Sequence, residues 1–205
     1  IHFSGGQKYM IKIKERKIHK HGFVRLIDVM GDDNSIADGA RVSYGKGTRA
    51  VSDNRNLIRY LVRHKHTSPL EMVEVKFHLK LPIFVMRQLV RHRTASLNEY
   101  SGRYSIMSDD FYEPSEEYIQ PQSKFNNQGR DGDMPDTWKT KYAQTINAIT
   151  YKCQVAYKNL IGTGSVSHGG LARELARIVL PVSNYTECYW KMDLHNFFHF
   201  CHLRM

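Results

Sequence analysis

The chain has 205 residues, of which 41% are hydrophobic and 24% are charged, values that are ordinary for a globular protein with one sizeable core. A formal net charge of +10 indicates an anionic partner, such as a nucleic acid, a phosphorylated metabolite or an acidic cofactor. The apolar runs are far shorter than a membrane span, so we expect no membrane partner. The three cysteines form no CxxC pair, so we expect reduced core thiols, which fit a cytoplasmic protein.

The first ten residues, IHFSGGQKYM, begin with Ile and resemble an added remnant more than a targeting signal. The rest of the chain contains no internal repeat and no low-complexity block. We therefore expect one domain over residues 1–205.

The first half of the chain predicts two strands and two helices. Gly22–Met30 has the composition of an early strand, and 35–43 is a plausible short helix. Leu57, Ile58, Leu61 and Val62 recur at helical spacing in a helix over 54–64, with Asp53 as an N-cap. Apolar and polar residues then alternate from Val73 to Leu81, which predicts a half-buried antiparallel strand.

The second half of the chain predicts mostly helices. The expected elements are, in order, a helix from Pro82 to about His92, a long surface loop over 113–136, a long helix from Pro135 to Leu160, a helix over Leu171–Val179, a strand over Tyr185–Met192 and a final helix capped by Asp193 that continues through Leu203. Strands and helices are mixed without regular βαβ alternation, so we predict an α+β fold.

The stretch RHRTASLNEYSGRY, residues 91–104, carries the clearest functional pattern. Arginine forks bind phosphate, and backbone N–H groups around Gly102 can approach an anion closely because glycine has no Cβ. An ion-paired, solvated loop is the alternative, but Glu99 is the single acid available to pair with these arginines. We predict a pocket for a phosphorylated ligand, in which Ser101 acts as a hydrogen-bonding residue rather than a nucleophile.

Histidines in the tail DLHNFFHFCHLRM suggest a second site. His195 and His199 are four residues apart, a spacing that zinc sites use, but no HExxH motif and no neighbouring cysteine or carboxylate completes such a site. We therefore predict no metal and expect these histidines to pack against, or donate to, a flat ring system.

Arg91-His92-Arg93, followed by seven residues and Ser101, resembles the signature of flavin-dependent thymidylate synthases. The fuller run RHRTASLNEYSGRYS is similar to that family along its whole length. Supporting segments occur in the same order, namely RVSY at 41–44, HTSPLE at 66–71, PIFVMRQ at 82–88, ARIVLP at 176–181 and DLHNFFHFCHLR at 193–204.

The resemblance implies a fold and an activity. The fold is a family-specific α+β architecture, mainly an antiparallel sheet packed with helices, and the assembly is a homotetramer that binds FAD at subunit interfaces. The family converts dUMP to dTMP with a methylene group from methylenetetrahydrofolate and with electrons that NADPH supplies through FAD. No cysteine nucleophile is implied, and family chains usually continue beyond the position of Arg204, so we expect a further C-terminal segment.

The resemblance also assigns site residues. Those implied to contact FAD are Ser43, His66, Ser68, Arg91, His92, Arg93, Glu99, Asp193, Leu194, His195 and His199. Those implied to contact dUMP are Gln88, Leu89, Val90, Arg91, Glu99, Tyr100, Ser101, Gly102, Arg103, Arg177 and Arg204. Arg204 is the implied catalytic residue, because a guanidinium can stabilise a uracil ionised at N3 and make its C5 more nucleophilic.

Two alternatives use the same residues. A basic nucleic-acid-binding module would place the arginines on phosphates and the aromatic tail residues against bases. Its Lys and Arg residues would spread along a surface, whereas here they are concentrated with Gln, Glu and Ser in one stretch. The other alternative is a flavin enzyme that acts on a different pyrimidine nucleotide.

Overall fold

The computed structural model describes residues 14–42, 53–125, 127–162 and 170–205, and these residues form an α+β fold. The described strands are β1 (Glu15–Ile18), β2 (Gly22–Met30), β3 (Glu74–Pro82), β4 (Ser96–Glu99) and β5 (Tyr185–Asp193). The described helices are α1 (Asp33–Val42), α2 (Asn54–Arg63), α3 (Ile83–Leu89), α4 (Asp136–Leu160), α5 (Arg173–Ala176) and α6 (Leu194–Arg204). Short 3₁₀ helices cover Ser68–Met72, Glu116–Tyr118 and Arg177–Val179.

The five described strands form one antiparallel sheet in the order β1-β2-β3-β5-β4. The sheet brings distant segments together, because β5 lies between β3 and β4 although it follows both in the chain by about a hundred residues. In this register Glu99 of β4 lies opposite Cys188 of β5. The arginine-rich stretch is therefore attached directly to the strand that leads into α6.

The main core lies on one face of the sheet. Leu79 of β3 and Trp190 of β5 pack there with Met86 of α3, and the ring of Phe197 from α6 stacks on Phe77 at 5.5 Å between centroids. Burial of such side chains contributes about 1.5–3 kcal/mol each, so this face fixes both helices relative to the sheet. The ends of α3 and α6, with the residues directly after α3, carry about half of the expected site residues.

A second, smaller core joins α1, α2 and the 3₁₀ helix at Ser68–Met72. Its buried side chains include Ile36, Leu57, Leu61 and Leu70, and Leu194 at the start of α6 packs against it. The N-terminus of α6 is thereby held between the two cores.

Most of the predicted elements are confirmed, with changes at their ends. α3 ends at Leu89 instead of near His92, and Pro82 is its N-cap instead of its first residue. The predicted helix over Leu171–Val179 is the short α5 followed by a turn of 3₁₀ helix. The predicted N-caps are confirmed, since Asp53 accepts from the N–H of Arg55 and Asp193 from the N–H of Asn196.

Two strands lie where no strand was predicted. β1 and β4 have four residues each and are exposed along their whole length, so neither shows the alternation that marks a half-buried strand. The expectation for the cysteines was also too broad: Cys188 is buried, but Cys153 and Cys201 are only half-buried, and all three are free thiols.

Across the described residues, no helix has both the length and the apolar character that crossing a membrane requires.

Candidate active site

Three segments that are distant in sequence converge around the arginine-rich stretch. The first runs from the C-terminal end of α3 through β4 to the turn at residues 100–107. The second is the end of β5 with α6, and the third is α5 with the adjoining 3₁₀ helix. The expected nucleotide residues lie mostly between the first and third segments, and the expected flavin residues between the first and second.

Gly102 is one of the points at which the first and third segments lie close together. It is buried, and a Cβ placed on it would lie 2.9 Å from Sδ of Met107 and 3.4 Å from Cδ of Arg177. A contact of 2.9 Å is shorter than real Cβ atoms show, so a side chain here would have to displace its neighbours. The structure thus brings together two residues, Gly102 and Arg177, that the resemblance assigned to one nucleotide pocket.

Arg103 is paired across this gap. Its Nε lies 3.2 Å from Oε2 of Glu174 on α5, and its backbone N–H donates to Oγ of Ser101 at 3.3 Å. The side chains of Arg103 and Glu174 are 54% and 56% exposed, and such a surface pair contributes at most about 1 kcal/mol. A phosphate could therefore displace the carboxylate at low cost.

Glu99 faces a buried hydroxyl. Oγ1 of Thr186, on β5, donates to Oε1 of Glu99 at 2.8 Å. Burial, with a smaller contribution from the charge of Glu99, raises the pKa of the Cys188 thiol to about 12. This environment disfavours the thiolate form, so Cys188 lacks the electropositive, partly exposed setting of a thiolate nucleophile.

His92 and Arg204 join the first and second segments. Nε of Arg204 donates to Nε2 of His92 at 3.0 Å, and the ring of Phe200 lies edge-on to the imidazole at 4.8 Å between centroids. Burial lowers the pKa of His92, and the nearby charges of Arg204 and His199 lower it further. A neutral imidazole is the form that can accept the hydrogen bond from Arg204.

A polar cavity of about 260 Å³ has Arg93, the residue after His92, in its wall. It is lined by Glu74, Arg93, Thr94, Ala95, Ser96, Lys191, Met192 and Asp193. Nζ of Lys191 donates to both carboxylate oxygens of Glu74, at 2.9 and 2.8 Å, so one of the two cations in the wall is already paired. Arg93 and the hydroxyls of this wall suit a phosphate, and the carboxylates of Glu74 and Asp193 suit the hydroxyl groups of a polyhydroxylated chain.

Other expected flavin residues lie apart from this cavity wall. The ring of His66 contacts those of Tyr60 and His64, and His66 and Ser68 are exposed. The 3₁₀ helix that begins at Ser68 packs on α6. His195 is half-buried on α6, while Ser43 lies outside the described residues.

The segment before the arginines has a plain structural role as well. Backbone carbonyls of Gln88 and Leu89 accept from the N–H groups of Arg91 and His92, at 3.2 and 3.0 Å, and Val90 is the C-cap of α3. This turn projects Arg91 into solvent directly after the helix.

Several residues around the site were not predicted from the sequence. Lys191 and Glu74 lie on the polar face of the β3–β5 pair, and the alternation of these strands could have identified that face, although not the cavity. Thr186 and Glu174 carry no motif, so only the fold reveals that they contact Glu99 and Arg103. Within the described ranges, no group of three or more His, Cys, Asp or Glu side chains could hold a metal ion.

Comparison with known proteins identifies the class. Residues 25–205 match the family model described as thymidylate synthase complementing protein. The chain therefore belongs to that family, the flavin-dependent thymidylate synthases, and the resemblance found in the sequence is confirmed.

Individual relatives make the match specific. A flavin-dependent thymidylate synthase from Ruegeria pomeroyi is 52% identical over 184 residues, which cover 90% of this chain and 60% of the relative. One from Thermus thermophilus is also 52% identical, with 90% and 64% covered, and one from Rickettsia bellii is 49% identical, with 92% and 66% covered. The chain thus spans about 60–66% of the length of these relatives.

Solved structures agree in fold. The UMP/dUMP methylase PolB from Streptomyces cacaoi, bound with 5-Br UMP, has a TM-score of 0.72 and 33% sequence identity, and the match covers 87% of this chain and 74% of that one. The same protein bound with 5-Br dUMP also has a TM-score of 0.72.

Proposed function

We propose that this chain carries out the reductive methylation of dUMP to dTMP, with methylenetetrahydrofolate as carbon donor and with FAD, reduced by NADPH, as hydride source. The observation that carries the proposal is the meeting of Gly102 and Arg177 beside Arg103, in a fold shared with a methylase bound to 5-Br UMP or 5-Br dUMP. The names of the curated relatives support the same reaction.

The nucleotide phosphate would be bound by the arginines of the first and third segments. Arg103 and Arg177 supply fixed positive charge, and Gly102 lets the backbone approach the ligand. Binding exchanges the exposed contact of Arg103 with Glu174 for a phosphate that carries more charge than one carboxylate.

Arg204 would act on the uracil ring. Its bond to His92 uses Nε and thereby orients the terminal Nη groups of the guanidinium. A guanidinium directed at the ring stabilises negative charge at N3 and increases electron density at C5, the atom that forms the new carbon–carbon bond. The protonated thiol of Cys188 supports a reaction without attack by an enzyme thiolate.

The cavity wall with Arg93, Thr94, Ser96 and Lys191 has the donors that a phosphate-bearing cofactor needs. A bound flavin supplies the hydride that completes the methyl group. Arg93 and Lys191 would bind its anionic portion, and the hydroxyls of Thr94 and Ser96 would orient it.

The proposal includes a homotetramer in the cytoplasm. A second cavity of about 460 Å³, almost entirely apolar, lies along the sheet next to α3 and α6, and Phe84 and Val85 at its edge are 37% and 39% exposed. Exposed apolar surface of this kind is typical of a protein interface, which supports assembly with further subunits. Free cysteines support a reducing compartment.

A visible absorption spectrum of the purified chain, titrated with dUMP, tests the proposal. Flavin bands that shift when dUMP is added are expected, because both ligands would share one site. A colourless protein that responds to neither added FAD nor dUMP would contradict the assignment, and strong nucleic-acid absorbance would favour the nucleic-acid-binding alternative.

A different pyrimidine nucleotide is the second candidate substrate, because the solved relative PolB is described as a UMP/dUMP methylase. Competition of UMP against dUMP in the same titration distinguishes the two. Tighter binding of UMP would identify the ribonucleotide as the substrate.

A further inference from the structure

The residues of the proposed nucleotide site belong to two segments, and other residues must fix the distance between these segments. Gly102 lies on the turn after β4, whereas Arg177 follows α5. Met107 is the side chain that lies against Gly102, because its Sδ is 2.9 Å from the position that a Cβ on Gly102 would occupy. The position of the Met107 side chain thus limits how closely the backbone at Gly102 can approach the buried residues beneath it.

Tyr157 of α4 holds the backbone of Met107 in place. Its hydroxyl accepts the backbone N–H of Met107 at 3.1 Å, and Tyr157 is only 1% exposed. Met107, Tyr157 and Ala176 form one buried cluster, and Ala176 directly precedes Arg177 in the chain. One tyrosine therefore contacts the supports of both parts of the site.

Two other hydrogen bonds fasten the same turn from its exposed side. The hydroxyl of Tyr100 donates to the carbonyl of Ile106 at 2.8 Å, and Nη1 of Arg173 donates to the carbonyl of Tyr104 at 2.5 Å. Water can replace both of these partners, but it cannot easily replace the hydroxyl of Tyr157 in a closed cluster. Loss of the Tyr157 hydroxyl would therefore leave the buried N–H group of Met107 without a partner.

We propose that Tyr157 is a positioning residue for nucleotide binding, which holds the turn at Gly102 at a fixed distance from Arg177 through the backbone of Met107. The inference rests on the proposed function, because it assigns the nucleotide phosphate to this gap. Tyr157 does not touch the ligand in this arrangement and acts only through its neighbours.

Tyr157→Phe removes the hydroxyl and keeps the ring that fills the cluster. We expect KM and Kd for dUMP to rise about tenfold, while kcat and the affinity for FAD stay within about twofold of wild type. Tyr151→Phe is the matched control, because Tyr151 is on the same helix but exposed, and it should leave all four quantities unchanged.

Hydrogen exchange at the amide of Met107 gives a readout that does not depend on activity. The amide should exchange slowly in wild type and in Tyr151→Phe, and at least about tenfold faster in Tyr157→Phe. A merely structural role would instead lower the melting temperature and weaken dUMP and FAD binding together, which would overturn the inference.

Gly102→Ala probes the same contact from the other side and does not require Tyr157→Phe to fold. Its Cβ would displace Met107, so KM for dUMP should rise, and the double variant Gly102→Ala/Met107→Ala should recover most of the loss because the sulfur is gone. Absence of recovery overturns the inference.

The failure of this inference is distinguishable from that of the proposed function. A wild-type chain that binds dUMP together with an unchanged Kd in Tyr157→Phe overturns the role of Tyr157 alone. A wild-type chain that binds no dUMP overturns the proposed function, and the inference with it.

Discussion

The two sides of the candidate site are built differently. On the nucleotide side, the turn at Gly102 lies over the buried cluster of Met107, Tyr157 and Ala176, and its backbone is fastened by hydrogen bonds. On the other side, where α6 meets the segment after α3, Arg204 is exposed on the last turn of α6 and makes a hydrogen bond to His92. The first arrangement fixes the position of the backbone, whereas the second fixes only the guanidinium group of Arg204.

This difference predicts which substitutions change the affinity for the nucleotide and which change the turnover rate. A change on the nucleotide side alters a surface that is already shaped for a ligand, so affinity should respond. A change at Arg204 removes charge from an exposed helix end with little effect on packing, so turnover should respond instead. The following substitutions test that division.

The largest effect is expected from Arg204→Ala. We expect kcat to fall about 100-fold, because one preorganised donor at a developing charge is worth that much, while Kd for dUMP changes less than about threefold. Steady-state kinetics with a dUMP titration measures both quantities. Arg204→Lys is the control that keeps the charge without the planar fork, and equal losses in kcat and affinity would make Arg204 a binding residue only.

Arg103→Ala should have the next largest effect, this time on affinity. We expect Kd for dUMP to rise about tenfold with kcat nearly unchanged, because a charge-assisted bond to phosphate is lost. Circular dichroism should show the fold intact. Glu174→Gln sharpens the test: it frees Arg103 from its carboxylate partner, so dUMP should bind slightly more tightly. An unchanged titration for Arg103→Ala would remove it from the site.

Asp193→Ala should change stability more than binding. The side chain caps α6 by accepting from the N–H of Asn196 at 2.9 Å, and loss of such a cap costs about 1 kcal/mol in the free energy of unfolding. Denaturant unfolding measures this. Asp193→Asn keeps a capping oxygen without the charge, so a loss of FAD affinity in Asp193→Asn with unchanged stability would reveal a direct role in the cavity.

The smallest effect expected is a pH dependence at His92. Its pKa in the folded protein is lowered, first by burial and then by Arg204 and His199, so the folded state binds this proton less readily than the unfolded state does. Its contribution to stability is thus present above the unfolded pKa of about 6.5 and is lost as pH falls through the lower folded value.

An NMR titration of the imidazole measures this pKa directly. Arg204→Ala should raise the pKa of His92 only part of the way back, because burial is the larger cause and remains in the variant. A pKa at or above 6.5 in the wild-type chain would contradict the environment described for His92.

The local sequence determined much of this protein. Alternation from Val73 to Leu81 predicted β3, because successive side chains of a strand point to opposite faces. Asp53 and Asp193 marked two helix starts, since a carboxylate satisfies N–H groups that a helix leaves free. The run of residues 91–105 identified the family, because its charged and hydroxyl residues have a fixed spacing.

Other features depend on the tertiary structure and could not be predicted from the spacing of residues in the sequence. β4 exists because β5 offers its edge, as four exposed residues have no periodicity of their own. The proximity of Gly102 to Arg177, and the hydrogen bond between Met107 and Tyr157, involve residues at least fifty positions apart. Such pairings depend on how the sheet and α4 pack together, and packing is a property of the whole chain that no local pattern encodes.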